Sequence, residues 1–346
     1  MLTAVMVKPG LIEFDERPIP AVPSGHVLVQ IMRIGVCGSD IHVYHGTHPY
    51  TSYPVIQGHE VAGRVAAVSH DIHGLEKGDR VTIRPQVVCG MCYQCTHGQS
   101  HLCQNLKVMG FQTDGAGAEF FAVKADNVLQ LPNSITYDQG TLIEPLAVAV
   151  HALRRNGDVQ GKKVLVLGAG PVGNLVAQAA QAMGGRTVMI ADIDDFRLGI
   201  ADKCGVDYCV NPAQHDLGKE ITRKFGVDGA DLILECAGST AAISQAIQYA
   251  RKGTAVVVVG VFGERPTVDL GLVQNNELRL IGSLMYQECD FRDAISLAST
   301  SKIGLSSLIT NHFPFRDYLT AYKYIDKTKG AVMKVIIDVQ EPEVAA

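Results

Sequence analysis

The chain has 346 residues, 47% of them hydrophobic and 19% charged, an ordinary globular composition with room for about two domains. A formal net charge of −5 removes any electrostatic case for nucleic acid or an anionic membrane as partner, and no apolar run reaches spanning length. The opening MLTAVMVKPG lacks the basic-then-apolar pattern of a secretory leader, and nine cysteines, four of them clustered, point to metal rather than disulfides, so a cytoplasmic location is the expectation.

To about residue 150 the chain reads mainly as short strands broken by turns, at 26–35, 60–68 and 79–83, punctuated by glycine and proline. Within this half Cys89, Cys92, Cys95 and Cys103 follow the spacing C-x2-C-x2-C-x7-C. Such spacing lets four thiolates converge on one Zn²⁺, and an all-sulfur set leaves no open position, so this zinc would be structural. An iron–sulfur centre or disulfides are the alternatives, although Cys103 lies too far along for the x3-and-proline run of bacterial clusters. His97 and His101, between the cysteines, read as surface residues.

The texture changes after His151. Strand 162–170, helix 171–185 and strand 186–192 alternate, followed by a helix at 196–205, strands at 207–211 and 229–238, a helix at 239–253, and strands at 254–260 and 278–284. These strands show little polar alternation, the pattern of a parallel sheet covered by helices on both faces. After about residue 286 come a short helical stretch, polar turns and a strand at 331–339 that suits the β-rich first half. The expected layout is α/β: a doubly wound domain over 153–286 inserted into a discontinuous catalytic domain, 1–152 and 287–346, with a metal lobe at 89–103.

Gly168-Ala169-Gly170-Pro171-Val172-Gly173 matches GxGxxG between an apolar strand and a helix, the context that marks a dinucleotide loop. Gly168 permits the turn, Gly170 lets backbone approach a pyrophosphate, Gly173 lets helix and strand pack, and the helix N-terminus of which Val172 is part favours the phosphates. Asp192 ends the next strand at the spacing of a ribose-binding acid. A carboxylate there accepts from a 2′-OH and repels a 2′-phosphate, so NAD is expected over NADP, with Arg197 against the adenosine end.

A second metal set is dispersed: Cys37 in GVCGSDIH, His59 and Glu60 in YPVIQGHEVAG, and Glu144 in EPLAVAVHA. Together with the four-cysteine lobe and the later GxGxxG, these motifs resemble the zinc-containing medium-chain dehydrogenase/reductase family, in order and over essentially the whole chain, and within it the sorbitol dehydrogenase-like branch that includes galactitol-phosphate and sugar-acid dehydrogenases. The resemblance implies a GroES-like catalytic domain, a Rossmann domain and a catalytic zinc held by Cys37, His59 and Glu144, with Glu60 as a direct, alternating or water-mediated ligand. Simple-alcohol dehydrogenases carry a cysteine where this chain has Glu144-Pro145; the glutamate is typical of the polyol side. A homo-oligomer, most often a tetramer but also a dimer, is implied as well.

The expected chemistry is NAD-linked oxidation of a secondary alcohol on a polyol, sugar alcohol or sugar acid, with two zincs per chain. A Lewis acid eases loss of the hydroxyl proton, and hydride passes to the nicotinamide. As in the family, Ser39 accepts the hydroxyl's proton, and the nicotinamide ribose hydroxyl and His42 pass it on to solvent, residue types that suit a relay. Asp40 is the candidate acceptor for the His59 ring N–H. By analogy Lys334 approaches the cofactor phosphates. Tyr44, His45, His48, Tyr50 and Tyr286 add polar groups suited to a hydroxylated substrate. The alternatives are a dehydrogenase of a vicinal diol or L-threonine, and a non-catalytic nucleotide-binding protein.

Overall fold

The computed structural model describes residues 1–328 and 330–340; positions 341–346, the end of the expected catalytic segment, lie outside them. Contacts divide the chain into two units, Met1–Glu144 with the chain from Ile309 on, and Pro145–Leu308.

The second unit is built on six strands. Lys163–Leu167, Thr187–Ala191 and Tyr208–Val210 step outward to one side, and Leu232–Glu235, Ala255–Val258 and Arg279–Gly282 to the other. Every neighbouring pair is parallel. This is the doubly wound order, which opens a crevice at the carboxyl ends of the two central strands, where the winding reverses. Leu165, Met189, Ile233 and Val256 are fully buried and share one core with Ile221 and Ile247 from the covering helices. The helices start where the sequence supplies caps. Asp194 accepts from the Phe196 and Arg197 amides, and Ser239 from the Ala242 amide, each worth about 1 kcal/mol.

The first unit carries a seven-stranded sheet organised on the long strand His26–Val36. That strand pairs antiparallel with Lys334–Asp338, Glu60–Val68 and Phe120–Lys124. Val27, Val29, Ile31 and Ile34 anchor its core. The mainly β reading of the chain to residue 150 passes over four helices, Gly38–Tyr44, Tyr93–Thr96, Tyr137–Thr141 and Ile143–Arg154, the last of them continuing into the second unit. The first is too short for periodicity to reveal. It is started by capping: the Cys37 N–H donates to Asp40 Oδ2 at 2.9 Å.

Candidate metal centres and dinucleotide site

Helix start and strand start bring the dispersed set together. Cys37 is the N-cap of Gly38–Tyr44, and Glu60 opens Glu60–Val68 directly opposite Gly35. A Cβ on Gly35 would fall 2.5 Å from Glu60 Oε2, so only glycine leaves room for that carboxylate. Donor atoms of Cys37, His59 and Glu60 all lie within 4.8 Å of one another. Glu144 stands outside that group, buried on the first turn of Ile143–Arg154.

The His59 ring is buried, 4.8 Å from the Phe111 ring, with Nδ1 3.4 Å from Asp40 Oδ1. Burial alone would lower its pKa; the Asp40 charge and hydrogen bond, with Cys37 besides, outweigh burial and raise it well above the usual value. The surroundings therefore call for a cation at this imidazole. A thiolate, an imidazole and a carboxylate in reach of one point form the donor set of a catalytic zinc, so these residues fit the metal.

Lys334 is 2% exposed and gives its ammonium to Glu60 Oε1 at 2.7 Å, Oε2 at 2.5 Å and the Val36 carbonyl at 3.2 Å. Burial would depress this amine, but Glu60, then Cys37, hold its pKa above normal. Its donors go to Glu60 and the Val36 carbonyl, so it is not a solvated strand lysine.

Ser39 is half-buried and His42 exposed, three residues apart on one helix and so on one face. Of the other polar candidates, His48 stacks on Phe111 at 4.8 Å, and burial, then His42, lower its pKa. His45 pairs with Asp326, Tyr44 packs on Tyr322, Tyr50 is exposed, and Tyr286 is wholly buried against Phe291.

The four cysteines of the lobe place their sulfurs within 4.8 Å of one another, with neighbouring pairs at 3.5, 3.5 and 3.9 Å. A tetrahedral Zn²⁺ with bonds of about 2.3 Å asks for sulfurs roughly 3.8 Å apart. These separations are too long for S–S bonds, and all four together are too close for a four-iron, four-sulfur cluster, in which each cysteine takes its own iron. Amides of Cys95 and Gln104 pull the Cys92 thiol down to about 6, while burial, then Cys92, push Cys95 up to about 12. Crowded sulfurs resist becoming thiolates together unless a cation holds them. His97 is exposed as expected; His101 is not, because the turn Ser100–Leu102 tucks it inside.

In the second unit a cavity of about 300 Å³ lies at the crevice, lined by Gly168, Gly170, Asp192, Arg197, Ala237 and Ser239. Gly168 has φ +103°, and a Cβ on Gly173 would fall 1.9 Å from the Gly168 carbonyl, so both glycines are required. Val172 lies in the first turn of the helix Pro171–Ala182 that follows. Asp192 also staples the loop, accepting from the Ala169 amide at 2.6 Å and the Asp194 amide at 2.9 Å. Arg197 Nη1 stands 4.0 Å from it. No helix among the described residues is long and apolar enough to cross a membrane.

Local motifs disclosed Cys37, His59 and Glu60. They did not disclose Lys334 as the partner of Glu60, nor Gln57, Phe111 and Tyr322 around His59. Gln57 sits in the quoted motif, but nothing nearby in sequence marks Tyr322, 265 positions on.

Known proteins resemble this chain over nearly its whole length. The alcohol dehydrogenase GroES-like domain matches residues 23–133 and the zinc-binding dehydrogenase model residues 171–300. The chain is 36% identical to 2-dehydro-3-deoxy-L-galactonate 5-dehydrogenase of Pseudoalteromonas atlantica over 92% of its length and 93% of the relative's. It is 34% identical to L-threonine 3-dehydrogenase of Pyrococcus horikoshii over 93% of its length and 94% of the relative's. Among solved structures, the rspB alcohol dehydrogenase of Escherichia coli CFT073, complexed with cofactor NADH, superposes with a TM-score of 0.90 at 29% identity, covering 98% of this chain and 99% of that one. With both family models matched in sequence order and a thiolate–imidazole–carboxylate cluster in its β-rich unit, the chain belongs to the zinc-binding dehydrogenases, on the polyol side of the medium-chain family.

Proposed function

We propose that this protein oxidises a secondary alcohol of a polyol or sugar acid to the ketone, using zinc and NAD⁺. The observation that carries the reading is the trio Cys37, His59 and Glu60, whose donor atoms share one point in a chain that also builds a dinucleotide crevice. When bound, zinc supplies Lewis acidity toward a hydroxyl and the nicotinamide accepts a hydride.

The residues have separate tasks. Cys37 and His59 hold the metal, and a carboxylate completes the set. Both Glu60 oxygens already accept from Lys334, which is the reason to keep Glu144 alongside Glu60 as a donor. Asp40 orients the His59 ring. Ser39 Oγ takes the substrate hydroxyl's proton and gives up its own toward His42, one turn on along the same face, whose ring accepts a proton on one nitrogen and releases one to water from the other. The four-cysteine lobe holds a second zinc that shapes its loop.

A homo-oligomer, a tetramer or dimer, fits the apolar side chains left exposed by the last strand of the parallel sheet and its neighbours, Leu270, Leu280 and Leu284.

The similarity to an L-threonine dehydrogenase favours threonine as the second reading. A panel of alditols, aldonates, vicinal diols and L-threonine with NAD⁺, followed by NADH absorbance, separates them. Turnover of an alditol or aldonate is expected; preference for threonine would replace the substrate assignment, and silence across the panel would contradict the enzyme reading.

Coenzyme choice has its own test. Asp192→Asn removes the charge and keeps an acceptor for the loop amide, so the ratio of kcat/KM for NAD⁺ to that for NADP⁺ should fall about 10- to 100-fold, the effect of about 1.4 to 2.7 kcal/mol. An unchanged ratio would refute the ribose role.

A further inference from the structure

Behind His59 runs a buried chain of polar side chains that the reaction does not call on directly. Asp40, Gln57 and Tyr322 are 1%, 3% and 0% exposed. The two oxygens of Asp40 have different partners. Oδ2 accepts the Cys37 N–H at 2.9 Å; Oδ1 stands 3.4 Å from His59 Nδ1 and accepts from Gln57 Nε2 at 3.1 Å. The same Nε2 lies 3.3 Å from the Asp40 carbonyl oxygen. On the far side of the amide, Tyr322 donates its hydroxyl to Gln57 Oε1 at 3.1 Å.

The polarity of this chain is forced. A carboxylate only accepts, so the Gln57 NH₂ must face Asp40, and its oxygen must face Tyr322. Burial, then Asp40, hold the Tyr322 phenol well above its ordinary pKa, so it stays a donor. Its ring is seated between Tyr44 and Tyr318, at 5.4 and 5.5 Å. Remove the amide, and Asp40 Oδ1 has no fixed neighbour except the imidazole it must orient, while the Cβ–Cγ torsion of an aspartate is soft.

His59 gives the chain its purpose. Nδ1 stands 3.4 Å from Asp40 Oδ1, at the long limit of a hydrogen bond. With Nδ1 turned to Asp40, Nε2 is the nitrogen left for a metal, and the ring's aim depends on where Oδ1 is held.

We propose that Gln57, locked by Tyr322, is a positioning residue that aims the Asp40 carboxylate at His59 and so sets how tightly the trio binds its metal. The inference rests on the reading of Cys37, His59 and Glu60 as the zinc-holding residues.

The test uses variants that keep shape. Gln57→Met preserves length without a donor, and Tyr322→Phe preserves the ring without the hydroxyl. Zinc affinity of the full-length protein is measured by competition with a chromophoric chelator, with Cys37→Ser identifying which signal belongs to this centre. Outer partners of a metal-bound histidine typically change affinity 10- to 100-fold. One link further out, we expect about tenfold weaker binding for Gln57→Met and about threefold for Tyr322→Phe. Asp40→Asn should lose more, and Gln57→Met added to it should cost almost nothing further, because both act through one carboxylate. A packing role alone would lower the melting temperature and leave affinity intact. Undiminished affinity in both shape-preserving variants, or full additivity with Asp40→Asn, overturns the inference. Undiminished binding in Cys37→Ser overturns the reading of the centre itself, and the two failures are told apart by that control.

Discussion

Cys37→Ser should reduce turnover by about four orders of magnitude while leaving the fold intact. The thiolate supplies negative charge that a neutral hydroxyl does not replace, and Lewis-acid stabilisation of the departing proton's oxygen is worth several kcal/mol; at about 1.4 kcal/mol per decade, roughly 5–6 kcal/mol gives that loss. The fold should survive for a local reason. Cys37 is the N-cap of Gly38–Tyr44, and the backbone bond that organises the cap runs from its N–H to Asp40. Serine is a better N-cap than cysteine, so the helix start is not weakened. The measurements are kcat, melting temperature and zinc content on one preparation. Near-normal turnover with zinc content unchanged would refute the assignment.

Lys334→Met should lower stability by about 3–5 kcal/mol, because it leaves the buried Glu60 carboxylate without its counter-charge. For a protein of this size that amounts to a fall in melting temperature of roughly 4–7 °C. The effect should depend on metal. A dication held by Cys37 and His59 gives the Glu60 carboxylate another positive neighbour, so the loss should be largest in zinc-depleted protein and smaller in zinc-loaded protein. Thermal unfolding of both forms reads it. An unchanged melting temperature would refute the pairing of Lys334 with Glu60, and the same loss in both forms would refute a dication beside that carboxylate.

The parallel sheet was legible because its strands are apolar on both faces and end in glycines or acids, as at Gly168 and Asp192; those endings also carry the chemistry, so fold and crevice were read together. Cys37, His59 and Glu60 were legible for a related reason. The backbone around them is locally demanding, a capped helix start at Cys37 and a strand start opposite Gly35 at Glu60, and such demands leave motifs. The residues that surround His59 left no such mark. Tyr322 and Lys334 reach the centre through tertiary packing of distant segments, and a tyrosine on a helix or a lysine beginning a strand looks the same whether it meets solvent or a carboxylate. The helix Gly38–Tyr44 was hidden for the opposite reason: seven residues are too few for a period to show.

The central claim is that one zinc, held at Cys37 and His59, is required for turnover, and that the zinc of the four-cysteine lobe is not its substitute. Elemental analysis and NADH production followed on the same sample during stepwise chelation test this most directly. Two zincs per chain are expected at the start, with activity that disappears with one of them and returns on adding zinc, and a melting temperature that falls chiefly with the other. A pure chain that turns over at full rate with no zinc beyond the one bound by Cys89, Cys92, Cys95 and Cys103 would contradict it.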